Sequence, residues 1–233
     1  MVRKIVGMNK KYGVLIVLLV LCQLSMSAQR GETGNWMMVF MTNKLNDKWS
    51  IHSEKQYRYY SASAFDLEQL LLRTGLNYHL TDQLWLTAGY AYIPSYDYAS
   101  DQKFLEITER RIWQQVLKTH FFGKIKFEHR FRLEQRWVNN DYRNRTRYRL
   151  MLFYPLNSEK IEKGSLFVGL YNEIFLNTTK QAFDRNRFYG ALGYQLNKAV
   201  NGQLGLLHQQ VGPVGKWYLQ FSVFLLTRSI AMR

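Results

Sequence analysis

The chain has 233 residues, is 15% aromatic with only three prolines and one cysteine, and carries a formal net charge of +15. A single thiol excludes a disulfide framework and a multi-thiolate metal site. The basic excess would suit nucleic acid or an anionic surface, but the arginines fall on alternate positions among glutamates, a pattern for internal ion pairs, so no nucleic-acid partner is expected.

The first residues set the compartment. Arg3, Lys4, Lys10 and Lys11 form a basic start, Val14 to Leu21 is an unbroken apolar run, and Ser25, Ser27 and Ala28 are small residues suited to a cleavage site. Gly13 to Leu24 is too short to match the roughly 20 apolar residues of a membrane-spanning helix, so this is read as a secretory signal peptide over residues 1–28, with a single domain over 29–233. Cys22 lies inside the apolar run and follows Leu21, where a lipoprotein signal would place a small residue, so no lipid anchor is expected. Cleavage would remove four basic residues and no acid, leaving a net charge of +11 and no cysteine. No later stretch reaches the roughly 18 apolar residues of a helical span.

Beyond the leader, segments with period-two alternation follow one another without a linker or a change of composition. They run roughly over 35–44, 48–59, 67–80, 84–93, 105–117, 124–138, 143–155, 165–176, 184–196, 200–210 and 214–227. Only a strand puts i, i+2 and i+4 on one face. Many of these segments exceed the five or six residues usual in globular strands and match the roughly 9 to 11 tilted residues that cross a membrane. The expected fold is therefore all-β: a transmembrane, antiparallel, up-and-down β-barrel of about 10–12 strands in the bacterial outer membrane, reached through the general secretion route. Eleven segments are counted, yet such barrels normally have an even number, so ten or twelve is expected. Connections near 43–48, 81–83, 120–124 and 197–201 read as short turns facing the periplasm, and those near 60–66, 94–104, 138–142 and 177–183 as longer outer loops.

In the segment 125–137, Ile125, Phe127, Phe131, Leu133 and Trp137 share one parity, and Lys126, Glu128, Arg130, Arg132, Glu134 and Arg136 the other. In the next, Arg143, Arg145, Arg147 and Arg149 oppose Tyr148, Leu150, Leu152 and Tyr154. A barrel turns the apolar parity to lipid and the charged parity to the lumen. The expected lumen lattice takes Glu128, Arg130, Arg132, Glu134, Arg136, Arg145, Arg147 and Arg149 from these two segments and adds Glu54, Arg58, Arg73, Glu109, Arg111, Glu173, Arg185 and Arg187. Side chains of this size can fill much of so narrow a barrel. Arginine suits the role because its planar fork stays charged and pairs with carboxylates through two hydrogen bonds.

Several runs also carry a resemblance: Leu71-Leu72-Arg73-Thr74-Gly75-Leu76-Asn77-Tyr78, Glu109-Arg110-Arg111-Ile112-Trp113-Gln114-Gln115, Arg130-Phe131-Arg132-Leu133-Glu134-Gln135-Arg136 with Arg145-Thr146-Arg147-Tyr148-Arg149, Tyr171-Asn172-Glu173-Ile174-Phe175, and Asp184-Arg185-Asn186-Arg187. Over nearly the whole mature chain the sequence resembles the DUF2490 family. These are uncharacterised proteins, common in Bacteroidetes and other Gram-negative bacteria, taken to be outer-membrane β-barrels. The resemblance implies a barrel and a location, and no catalytic residues.

Catalytic patterns are sparse. There is no Gly-x-Ser-x-Gly elbow, Gly212-Pro213-Val214-Gly215 lacks the lysine and helix of a phosphate loop, and no His or Asp cluster has metal-ligand spacing. By parity His52 and His79 point inward, His129 and His208 outward, and His120 falls in a turn. The expectation is a structural or binding scaffold and not an enzyme, with no cofactor or metal, in contact with outer-membrane lipid and with the barrel-assembly machinery during biogenesis. Loops around Tyr96, Tyr98, Tyr142 and Phe183 would make outside contacts. The alternative is a narrow anion-selective channel, because inward arginines outnumber inward glutamates; an outer-membrane lipid hydrolase ranks below both.

Overall fold

Eleven strands account for the regular structure of the described residues, 33–63, 66–99, 102–178 and 182–228, in a computed structural model. The leader expected over residues 1–28 lies outside the described residues. The strands are β1 (Gly34–Lys44), β2 (Trp49–Tyr59), β3 (Leu67–Thr81), β4 (Leu84–Ala99), β5 (Gln102–Phe122), β6 (Ile125–Val138), β7 (Asp141–Pro155), β8 (Leu166–Asn177), β9 (Phe183–Gln195), β10 (Val200–Val211) and β11 (Val214–Arg228). Each pairs antiparallel with its neighbour in sequence, and β1 closes the barrel against β11.

That closure is parallel, with Gly34 opposite Tyr218 and Lys44 opposite Arg228. The expected even count of ten or twelve is thereby corrected to eleven: the segment at Asn35 is a full wall strand. In an up-and-down meander, strands of odd rank all run the same way, so an odd total must close with one parallel pair. The same arithmetic places the start of β1 and the end of β11 at opposite rims.

The first rim carries the connections 45–48, 82–83, 123–124, 156–165 and 196–199, and the second carries 60–66, 139–140, 178–182 and 212–213 together with the β4–β5 hairpin. The expected division into short turns on one rim and long loops on the other does not hold. The longest connection, 156–165, lies on the rim that also has the tightest turns. Conversely, Asn139 and Asn140 make a two-residue hairpin turn on the second rim, with φ of 46° and 75°. Tight hairpins matched to strand twist require positive φ at both central residues, a region that asparagine tolerates better than most residues. His120 also departs from expectation, lying within β5 and not in a turn, because β5 extends to Phe122.

The wall turns its oil outward. Leu72, Leu76, Ile112, Val116, Phe131, Leu133, Leu170 and Leu192 are all exposed on the outer face. Aromatic pairs lie nearer the rims, Trp49 with Tyr78 on one side and Trp137 with Tyr142 on the other, at centroid distances of 4.7 and 5.3 Å. Two amide pairs interrupt the apolar face, and each satisfies itself: Gln114 and Gln135 exchange hydrogen bonds of 3.1 and 3.2 Å, and Asn172 and Asn186 bonds of 2.9 and 3.1 Å.

Inside, the barrel is not uniformly charged. Trp36, Met38, Met151, Tyr189, Leu207 and Tyr218 form one buried apolar cluster, and Leu71, Ala91, Ile93 and Trp113 another. Trp113 fits because the two strands beneath it have no side chain there. Gly75 and Gly89 are directly paired, and a Cβ on Gly89 would stand 2.2 Å from the Thr74 carbonyl and 2.7 Å from the Trp113 ring.

Candidate functional site: the charged lumen

Adjacent strands β5 to β9 put the lattice together. Glu134 on β6 is completely enclosed and faces Arg145 at 2.6 Å and Arg147 at 2.7 Å, with Arg111 and Arg132 each at 3.8 Å. Arg147 also reaches Glu173 at 2.8 Å, which Arg130 meets at 2.6 Å. Arg145 extends the chain of ion pairs to Asp184 at 2.8 Å, and Asp184 in turn holds Arg185. Glu109 joins Arg111 at 2.6 Å and Arg136, while Glu128 pairs with Arg149. On the other side of the lumen Glu54 holds Arg73 at 2.8 Å and His52 at 3.2 Å, and accepts from Gln56.

Register explains why the carboxylates are needed. Arg130 stands directly opposite Arg149, and Arg132 opposite Arg147, which on an ordinary sheet would repel. Glu134, diagonal to Arg147, bridges the Arg132–Arg147 pair, and Glu173, directly opposite Arg149 on β7, joins Arg130 to Arg147. Charges this enclosed are stabilising only when each keeps its partners.

Two guanidiniums lack that compensation. Arg58 bonds to Gln56 and Gln69, and Arg187 to Gln209. Among the described residues neither has a carboxylate within ion-pair distance. Both lie against the indole of Trp36, with the guanidinium carbon 4.0 Å from the ring centre for Arg58 and 4.9 Å for Arg187. Arg132 hydrogen-bonds to Gln115 through Nε and Nη2, leaving Nη1 with no hydrogen-bond partner. Arg143 stands apart from the lattice, exposed at the second rim with Asp141 at 3.6 Å.

A cavity of about 1430 Å³ runs through the lumen. Toward the second rim its lining includes Arg58, Glu109, Arg136 and Arg185. At the first rim it reaches the turn residues Gly123, Lys124 and Lys198 and the 156–165 loop. Between them part of the wall is apolar, formed by Met38, Phe40, Met151, Phe153, Phe167 and Phe224, beside charged residues that include Glu128, Arg130 and Arg149. The loop is tied in place: Lys124 Nζ lies 2.6 Å from Glu159, and the buried Ser165 Oγ accepts from the Glu162 amide at 2.9 Å. The hydrogen bond to Glu159 raises the Lys124 pKa.

Fifteen of the sixteen residues expected in the lattice line this cavity, and the sixteenth, Glu134, lies beneath its arginines. The apolar stripe Trp36, Met38 and Phe40 on β1 was not anticipated. Met37, Val39 and Met41 on the other parity are equally apolar, so alternation had no contrast to report. Among the described residues no group of three or more His, Cys, Asp or Glu could hold a metal ion. His52 and His79 face the lumen, while His120 and His129 stack outside at 5.1 Å. Ser50 and His79 form a serine–histidine contact of 2.8 Å. Ser50 is fully buried, however, its oxygen also accepts from Asn77, and it is not on the cavity wall.

Comparison with known proteins agrees with the resemblance seen in the sequence. An uncharacterised protein of Methylorubrum extorquens is 28% identical over 151 residues, or 61% of this chain. The aligned stretch covers 64% of that protein, just under two thirds of its length. Residues 33–220 match the family described as a protein of unknown function, DUF2490. The chain belongs to the DUF2490 family.

Proposed function

We propose that the protein is an outer-membrane β-barrel whose arginine-rich lumen serves as a binding scaffold and not as an open pore. The observation that carries this reading is the crowding of the lumen: Arg132, Glu134, Arg145, Arg147 and Glu173 are all buried inside the barrel and joined by ion pairs. The membrane location is supported by the signal-like leader and by the exposed leucine and phenylalanine band, which a soluble monomer would not display at such extent. The self-satisfied amide pairs support it further, since lipid offers an unpaired amide no partner. No catalytic role is assigned, because Ser50 is buried off the cavity wall, while only His79 lines it. Contacts are with outer-membrane lipid and, during biogenesis, with the barrel-assembly machinery.

The test is recovery of the full chain in the outer-membrane fraction with a band whose mobility shifts on boiling, combined with planar-bilayer recording of the refolded protein. A heat-modifiable barrel with negligible conductance is expected. A soluble periplasmic monomer would overturn the location. A steady anion-selective current would favour a narrow channel instead, a reading supported by the excess of lumen arginines over lumen glutamates.

A further inference from the structure

The cavity wall combines two chemistries. Near the second rim, Arg58 and Arg187 flank Trp36 without a carboxylate partner among the described residues, and the buried Trp36 Nε1 has no hydrogen-bond acceptor. Arg187 is 93% buried, yet it lines the cavity. Such an arrangement leaves two guanidinium charges in a low-dielectric site with only the neutral amides of Gln56, Gln69 and Gln209 to receive them, a state that costs free energy unless an anion completes it. From there toward the first rim the wall carries a stripe of methionine and phenylalanine, Met38 and Phe40 on β1, Met151 and Phe153 on β7 and Phe167 on β8, beside Lys126, Glu128, Arg130 and Arg149. Phe40 is stacked on Phe224 at 4.7 Å, so this wall is packed in place. Lys124, Lys126 and Lys198 surround the approach. At about 1430 Å³ the space exceeds the roughly 300 to 1,000 Å³ of ordinary small-molecule pockets.

We infer that the lumen binds a single-chain anionic amphiphile, its carboxylate or phosphate held between Arg58 and Arg187 beneath Trp36 and its hydrocarbon chain lying along the phenylalanine and methionine wall toward the first rim. The inference rests on the lumen being a binding site, and it names the ligand class. A planar guanidinium on each side matches the oxygens of a carboxylate or phosphate in paired hydrogen bonds, and the apolar wall supplies chain burial at about 0.8 kcal/mol per methylene. A small inorganic anion would satisfy the arginines but leave the wall without a role. A neutral chain would do the reverse.

The experiment uses the full mature barrel, transferred from detergent to an amphipathic polymer and charged with dansyl-labelled undecanoic acid as the reporter. Dodecanoate and dodecyl phosphate should displace the reporter at concentrations at least tenfold below dodecanol, and at least a hundredfold below acetate or inorganic phosphate. Arg58→Gln and Arg187→Gln should each weaken dodecanoate at least tenfold while the heat-modifiable band is kept. Arg143→Gln, outside the lumen, should leave it unchanged. Equal displacement by dodecanol, or unaltered binding in both lumen variants, would overturn the headgroup site. Inorganic phosphate acting as well as dodecyl phosphate would overturn the amphiphile and leave a small-anion site. Should the variants fail to fold, the comparison of dodecanoate with dodecanol on the unaltered barrel still decides. An outer-membrane barrel that binds none of the probes would refute the site alone, whereas a soluble protein that binds them would refute the membrane reading alone.

Discussion

Glu134 and Arg145 stand directly opposite each other across the β6–β7 pair, 2.6 Å apart and both buried. The carboxylate is the common partner of four arginines, so its charge holds together guanidiniums that would otherwise repel. Replacing it with glutamine keeps the shape and removes the charge. Glu134→Gln should cost about 3 to 5 kcal/mol, the range for a broken buried pair, with little dependence on salt. Urea unfolding of the barrel in lipid vesicles at low and high ionic strength measures both. A loss of only about 0 to 1 kcal/mol that shrinks with salt would mean a hydrated lumen.

The outer wall makes a different demand. Leu170 is exposed near the middle of β8, beside Leu152 on β7 and Gly190 on β9. If lipid surrounds it, Leu170→Arg should destabilise the bilayer-folded barrel by about 2 to 4 kcal/mol. A neutral effect would place that face in water.

Gly89 tests the packing beneath Trp113. An added methyl would meet the Thr74 carbonyl and the Gly75 Cα as well as the indole, so trimming the ring alone does not make room. Gly89→Ala is expected to cost about 1 to 3 kcal/mol as overpacking, and Trp113→Leu in the same chain should not restore stability. Rescue by the ring truncation would show that the backbone contacts are easily relieved.

How much of this was legible in the sequence depended on contrast between the two faces of each strand. On β6 and β7 one parity is apolar and the other ionised, so the faces, the lumen residues and the strand limits could be read from Ile125 to Tyr154. On β1 both parities are apolar, and the inward stripe from Trp36 to Phe40 left no trace in the alternation. The parallel closure was hidden for another reason: the eleven segments were visible, but the norm of an even count argued against them, and no local residue pattern marks a parallel seam. The loop over 156–165 carries no periodicity. Its position against the lumen follows from Ser165, Glu162 and the Lys124–Glu159 pair, contacts between positions that no spacing rule connects.

That loop supports a last prediction. It lines the cavity at the first rim, where Glu159 ties it to Lys124 on the β5–β6 turn. Replacing residues 158–163 with a short glycine turn should widen the entrance, yet on the scaffold reading the obstacle to ions lies deeper, at the lattice around Glu134 and Glu173. Shortening the loop should therefore leave planar-bilayer conductance as low as in the unaltered barrel, while speeding entry of dodecanoate into the lumen. The Lys124–Glu159 pair is exposed and screened by water and salt, so Glu159→Gln alone should change entry only slightly, and less at high salt. A large anion-selective current after loop shortening would place the constriction at the first rim and make the loop, not the lattice, the closure of the barrel.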